Sequence, residues 1–390
     1  MKYLYLSDVG DGLCMRLDTI GNRSILIDCG SQAGSEKAFK GFKKIFRYHY
    51  EKPDIFILSH FHIDHYNGIF KMENNSIGLK ELYCPGIPEF TKKGLKDEYL
   101  MALLCMTARV LGNGSKSAEV DLINKMRDIT YSKFFFRHLY QNDNVNINGL
   151  RIDVLWPPKI LKDEEITKLI EKAVQDFNKA LENDCELRNI YKKYEENKII
   201  EKYLYTDENH RDKVFYEPEI KKQEFKKNIE SEYIEKDKDV DNGKKIETDN
   251  KEKLHCTIQT ANESLRKAAN QLSLSFAIDD RILFLGDLEK KEIINVIETL
   301  KDEERKNFAV LITPHHGTHW DDSLKSIRCE YALSSNGIKM IGKFKEEFKK
   351  ISNNCESTFV SGDILFPFMP FLSRYDYTFY EFIKRFLLII

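Results

Sequence analysis

Ser59-His60-Phe61-His62-Ile63-Asp64-His65 directly follows the apolar run Ile55-Phe56-Ile57-Leu58, and this junction decides how the chain is read. The run is short, with Pro53 before it and polar residues after it, so it reads as a fully buried strand. The polar cluster then sits at a strand end. In extended backbone His60 and His62, two positions apart, project from one face and can close on one ion. Asp64 and His65 follow where the chain turns, and offer an oxygen and a nitrogen to a second ion beside the first. A lone histidine is more often a surface or capping group, but four candidate ligands between positions 60 and 65 reverse that expectation. Neutral imidazole with carboxylate suits zinc, and also manganese or iron. A second cluster, Pro314-His315-His316-Gly317-Thr318-His319, follows Leu311-Ile312-Thr313 in the same way.

HxHxDH followed by Tyr66-Asn67-Gly68 resembles the signature of the metallo-β-lactamase fold. Further segments are similar to the metallo-β-lactamase domain of the DNA-uptake competence protein (ComEC) family. Asp8-Val9-Gly10-Asp11-Gly12 and Ser24-Ile25-Leu26-Ile27-Asp28-Cys29-Gly30 resemble its opening hairpin. Asn270-Gln271-Leu272-Ser273-Leu274 resembles its Asn-x-x-Ser-Leu strand, Leu283-Phe284-Leu285-Gly286-Asp287-Leu288 its strand ending in Gly-Asp-Leu, and Pro314 to Thr318 its Pro-His-His-Gly-Ser/Thr element. The resemblance covers roughly 1–158 and 255–365. It implies an αβ/βα sandwich of two mixed sheets flanked by helices, carried by 1–158 and 255–390 and interrupted by a charged helical insertion with a flexible linker at 159–254.

By resemblance, His60 and His62 would hold the first ion, Asp64 and His65 the second, and Asp287 would bridge both. The last ligand is His315 or His316, and His316 is preferred because the fold places it before a small residue and then Ser or Thr. Asp28 would orient the ligand loop rather than touch metal, although a turn aspartate before Cys29-Gly30 is an equal alternative. Asn270 and Thr318 join it as supporting residues. Asp64, His315 and His319 are the catalytic candidates, with a plain loop histidine as the alternative for His319. Two departures stand out. Many members of the fold supply a further histidine before the bridging aspartate, and of His138, His210 and His255 none lies in a motif. After Tyr331 to Gly337 the family continues to a Tyr-Gly-His-Pro segment, where this chain has Ile338-Lys339-Met340-Ile341-Gly342-Lys343.

The implied cofactors are two divalent ions, zinc first and manganese second. Such ions lower the pKa of bound water from about 15.7 to about 7, making hydroxide the nucleophile against a phosphodiester, with His315 or His319 protonating the departing oxygen.

Composition agrees with a cytoplasmic enzyme. Hydrophobic residues make up 42% of the 390, including 25 Phe, enough for a large core. The eight cysteines form no CxxC pair, which points to reduced thiols. The start lacks a signal-peptide pattern, and no segment is suited to span a bilayer, so no membrane partner is expected. Net charge is −2, which excludes a globally basic nucleic-acid surface. Phosphate contacts would be local, from Lys43, Lys44 and Arg47, from Lys92 and Lys93, or from Lys339, Lys343 and Lys345, each more simply read as solvated lysine.

In the insertion, Ile166, Leu169, Ile170, Ala173, Phe177, Leu181, Leu187 and Tyr191 recur at helical spacing and predict one amphipathic helix. A second is expected through Ile199, Ile200, Tyr203 and Leu204. Glu235 to Lys253 has almost no apolar residues and is expected to be a flexible linker. The insertion would be a helical hairpin or lid over the site or support self-association, with plain structural elaboration an equal alternative, and the Phe-rich stretch from Phe366 onward would cover an exposed sheet or mediate oligomerisation, core packing being the simpler reading. Outer helices are expected at 35–50, 119–129 and 290–300.

The leading expectation is a metal-dependent phosphodiesterase acting on DNA, in defence against foreign DNA. The second is a hydrolase of a small ester, lactone or thioester, because the same chemistry attacks carbonyl carbon. The third is a non-catalytic sensor or partner subunit.

Overall fold

The computed structural model describes residues 1–21, 23–47, 52–111, 122–131, 134–147, 149–198, 215–216, 244–302 and 306–368. Two sheets face each other. The first holds β1 (Tyr3–Leu6), β2 (Cys14–Asp18), β3 (Ser24–Cys29), β4 (Ile55–Ile57), β5 (Glu81–Pro85) and β6 (Phe134–Leu139). The second holds β7 (Asn144–Ile147), β8 (Leu150–Trp156), β10 (Ser275–Ile278), β11 (Ile282–Phe284), β12 (Asn307–Ile312), β13 (Arg328–Ser334) and β14 (Ser352–Ser357). Two further strands, β9 (Phe215–Tyr216) and β15 (Ile364–Pro367), complete the first sheet at its edges, giving β15-β1-β2-β3-β4-β5-β6-β9 against β14-β13-β12-β11-β10-β8-β7. Both sheets are mixed: β3 to β6 run parallel, as do β11 to β14, and the other pairs are antiparallel.

Side-chain alternation sorts the core into an inter-sheet layer and outer layers. Ile55 and Ile57 of β4 join Ile25, Ile27, Phe276, Phe284 and Val310 between the sheets, whereas Phe56 and Leu58 face the opposite way, toward helices. The inter-sheet layer is closed by stacked Phe276 and Phe284, centroids 4.7 Å apart.

Helices cover the outer faces: α1 (Ser35–Arg47), α2 (Ile63–Tyr66), α3 (Leu95–Leu111), α4 (Leu122–Ile129), α5 (Glu164–Asn183), α6 (Cys185–Glu196), α7 (Lys244–Gln271) and α8 (Lys290–Asp302). Phe39, Phe42 and Phe46 line one face of α1 and pack against the core, with the last two rings 4.8 Å apart. This is the metallo-β-lactamase αβ/βα arrangement of two mixed sheets flanked by helices.

The insertion differs from its sequence reading in three respects. The periodic stretch 166–191 is two helices, because Asp184 ends α5 and caps α6, its side chain accepting from the Leu187 amide at 2.8 Å. Leu169, placed on the apolar stripe, is exposed. The stretch expected as linker is helical from Lys244, and the same helix runs unbroken to Gln271, so Asn270 and Gln271 end a helix instead of opening a strand; β10 starts at Ser275. Helix α7 packs along α5, where buried Ala261, Leu265 and Ala268 join Ile166, Ile170 and Phe177 in one core. Positions 199–204, 235–243, 119–121 and 369–390 lie outside the described residues. No described helix is long and apolar enough to cross a membrane.

Candidate metal centre

Strand ends deliver the site. β4 stops at Ile57, and the His62 amide donates to the His60 carbonyl at 3.0 Å, so a tight turn, not strand alternation, brings the two imidazoles together. Their rings lie 5.8 Å apart at 25°. His62 keeps extended backbone as it enters α2, whose first turn carries Asp64 and His65. Gly30, at the end of β3, is what permits this approach: a Cβ there would meet the Asp64 carbonyl carbon at 2.2 Å and the His65 amide nitrogen at 2.3 Å. Asn67 ties the far side, donating to Ser31 O at 2.7 Å while accepting from Ser31 N at 3.1 Å.

The other half comes from the second sheet. Asp287 follows β11 through Gly286, left-handed at φ 55°, and its amide donates to Ser273 Oγ at 2.9 Å. His315 and His316, after β12, are left-handed at φ 48° and 59°, followed by Gly317 at 82°. Left-handed backbone costs a non-glycine residue about 1–2 kcal/mol, and such strain persists where surrounding contacts over-determine it. Here Asn336 Nδ2 donates to His316 O at 3.3 Å and Thr318 Oγ1 to His315 O at 2.7 Å.

The result is a ring of nitrogens around one carboxylate. Asp287 Oδ2 lies 3.5 Å from His65 Nε2, 3.6 Å from His316 Nε2, 3.8 Å from His315 Nε2 and 3.9 Å from His60 Nε2. His316 Nε2 is also 3.8 Å from Asp64 Oδ2, and His62 Nδ1 rests against Asp64 Oδ1. His60, His62 and His65 present ligand atoms within 4.8 Å of one another, as do Asp64, His65 and His316. The structure therefore brings together His60, His62, Asp64, His65, Asp287 and His316, with His315 on the same oxygen.

Outward contacts fix which nitrogen faces in. His65 Nδ1 pairs with Asp28 Oδ2 at 2.7 Å, and His316 Nδ1 with Ser335 O at 2.7 Å. His60 Nδ1 lies 3.1 Å from Ser59 Oγ and 3.4 Å from Ser273 Oγ. Their Nε2 atoms are buried without a hydrogen-bond partner. Buried polar atoms left so are costly, and three imidazole nitrogens converging on carboxylates form a donor set that fits a divalent cation. Against burial, Asp287 and Asp28 raise His65 well above its ordinary value, so a cation would take the place of its Nε2 proton. Burial opposes a charge on Asp287, yet His316, His65 and His315 hold its carboxyl well below the usual range. Burial likewise opposes charge on Asp64, and His62 outweighs it, keeping that group ionised. Burial and the neighbouring His65 keep His60 neutral, the form that binds metal.

Asp28 occupies a left-handed turn at φ 54° beneath the ring, accepting from Ser59 N at 2.7 Å and Ser59 Oγ at 2.5 Å as well as from His65. Asn270 is buried on α7, and Thr318 fastens the His315 backbone. His319 stands at the lip, its Nδ1 3.1 Å from His315 Nδ1. His138 is buried in β6 against Phe136, among the described residues no part of the cluster. Several participants escape sequence reading. Ser59 links Asp28 to two histidines, Gln32 Nε2 donates to Asp64 Oδ2 at 2.9 Å, and Ser335 supplies a carbonyl. Asp11 accepts from the Gly337, Lys339 and Met340 amides, fastening the segment that replaces the family's Tyr-Gly-His-Pro.

Beside His62 opens a cavity lined by Phe61, Ile63, Tyr66, Leu103, Met106 and Leu265, with Asn262 and Arg266 of α7 at its wall.

The family model of the metallo-β-lactamase superfamily matches residues 8–99, the span that carries β2 to β5 and the first four candidate ligands. Among solved structures, the metallo-beta-lactamase fold protein YhfI from Bacillus subtilis aligns with 94% of this chain and 100% of its own, at 10% identity and a TM-score of 0.37. No curated protein sequence matches.

Proposed function

We propose that this chain, a metallo-β-lactamase fold whose two sheets end in facing histidine loops, is a metal-dependent hydrolase that cleaves phosphodiester bonds in DNA. The observation that carries the hydrolase reading is the ring of inward Nε2 atoms around Asp287 Oδ2. His60 and His62 would hold one ion, Asp64, His65 and His316 the other, with Asp287 between them. Two divalent ions there, zinc or manganese, would supply Lewis acidity and ionise water near neutral pH.

The chain's own residues do the rest. Asp28 and Ser335 hold two rings in the tautomer that keeps Nε2 free. Gln32 steadies Asp64 without neutralising it. Burial lowers His315 to about 4, so at neutral pH it is an uncharged imidazole facing the substrate side. As a neutral ring it would orient the substrate there. The DNA reading is supported by the likeness of the Asp8, Asn270, Gly286 and Pro314 segments to the competence family. Incubation with linear, circular and single-stranded DNA in zinc, manganese or magnesium tests it: cleavage lost in Asp64→Ala is expected, and no cleavage under any condition with metal bound rejects the nuclease reading.

The same Lewis-acid chemistry would serve attack on a carbonyl carbon, so a panel of small esters, lactones and thioesters, assayed alongside the DNA, separates the two substrate classes.

A further inference from the structure

We propose that Glu289, His315 and His319 bind a third divalent cation, of the zinc or manganese class, at the lip of the site and separate from the pair at Asp287. His319 Nδ1 lies 3.1 Å from His315 Nδ1, 3.1 Å from the Leu288 carbonyl oxygen and 3.6 Å from Glu289 Oε2. An imidazole nitrogen carries at most one hydrogen, so His319 can answer only one of these three. Two ring nitrogens face each other, and neither the carbonyl nor the ionised carboxylate has a hydrogen to give. A cation among them satisfies all four atoms at once.

The spacing fits. Bonds of about 2.0–2.1 Å at tetrahedral angles place neighbouring donors about 3.3 Å apart, and the observed separations of 3.1 and 3.6 Å bracket that value. Candidate ligand atoms of the three side chains all lie within 4.8 Å of one another. Two imidazoles and a glutamate are a combination that zinc accepts where a position stays open, and the carbonyl adds a hard oxygen suited to manganese.

The cluster is presented by the same two loops that carry the central ligands. Glu289 lies two residues beyond Asp287, just before α8, and His315 precedes His316. All three side chains are half-buried, open enough for an ion to enter. A cation on His315 Nδ1 requires the ring hydrogen on Nε2, which then points toward Asp287 Oδ2, 3.8 Å away. His315 thereby separates the two places instead of belonging to the inner pair. This inference does not depend on which bond the protein hydrolyses.

Zinc counted by mass spectrometry after equilibrium dialysis of the full chain against a zinc buffer tests it. Three ions per chain are expected in the wild type and two in His319→Ala, whereas Asp64→Ala loses from the inner pair and retains the third. Glu289→Gln, which preserves shape at a half-exposed position, should weaken one ion at least tenfold and decides the matter should His319→Ala fold poorly. Two or fewer ions in a wild type that binds its inner pair, or a Glu289→Gln chain with every wild-type affinity, overturns the proposal. A wild type with no zinc at all overturns both this and the hydrolase reading, so the two failures are told apart.

Discussion

Asp28 Oδ2 and His65 Nδ1 lie 2.7 Å apart under the candidate centre, both fully buried, and through this one contact the end of β3 sets the tautomer of a ring whose other nitrogen faces Asp287. Burial pushes the Asp28 carboxyl up, with His65 and Ser59 pulling against it. Removing the charge while keeping the shape isolates this role. Asp28→Asn is expected to lower zinc affinity tenfold to a hundredfold, as loss of a histidine's carboxylate partner does at other sites. Competition with a fluorescent chelator measures it, and unchanged affinity would make Asp28 a mere turn residue.

Gly30→Ala has nowhere to put its methyl group, because the atoms it meets are backbone of the ligand turn. The expected outcome is a destabilisation of about 3 kcal/mol, with zinc binding impaired beyond what instability explains. Denaturant unfolding and zinc titration on the same sample check both parts.

Glu292, on α8, gives stability a pH dependence of known sign. Burial first, then nearby Glu289 and Asp163, raise its carboxyl from 4.5 to about 7. Below 4.5 the group is protonated folded and unfolded; between 4.5 and about 7 only the folded state holds the proton. Its stabilising contribution is therefore present at low pH and lost as pH rises through 7. Glu292→Gln should remove this dependence, shrinking the stability difference between pH 5 and pH 8 by roughly 2 kcal/mol. Urea unfolding at the two pH values reads it, and an identical difference in both proteins would contradict a raised Glu292.

Asp184 does two jobs with one buried carboxylate, capping α6 and pairing with Arg109 of α3 at 3.1 Å. Asp184→Ala should cost about 2 kcal/mol, a cap plus a charge-assisted hydrogen bond. Because the insertion helices contact the core through α3, hydrogen exchange along 164–196 should rise more than along β2 to β5. A uniform rise would show that the helices are not a separate unit.

Much of this was legible in the residues. Single strands show as buried runs such as Ile55 to Leu58 and Leu283 to Leu285, and outer helices as amphipathic segments, whereas their arrangement into two sheets with helices outside came through the resemblance to the metallo-β-lactamase fold. His60, His62, Asp64 and His65 were visible because histidine is scarce and their spacing is local, whereas Asp287 and the choice of His316 over His315 came through the resemblance. Less visible was anything depending on backbone turns: that His60 and His62 converge through a tight turn, or that His315 and His316 are left-handed, is not encoded in hydrophobic period. Ser59, Ser335 and Gln32 are ordinary residue types whose roles exist only through long-range contact. Asp184 inside an unbroken apolar period concealed a helix break, since periodicity carries across a capped junction. Lys244 to Lys253 has Ile246 as its one apolar residue, so composition pointed to linker, while the helix that ends at Gln271 begins at Lys244.

Bound zinc per chain in Asp287→Ala, against wild type, tests the central claim most directly. Asp287 Oδ2 lies within 3.9 Å of the Nε2 atoms of His60, His65, His315 and His316, so the substitution should remove both inner ions while far-UV circular dichroism stays that of the wild type. A folded Asp287→Ala chain that kept its full zinc content would show that these histidines do not share a centre.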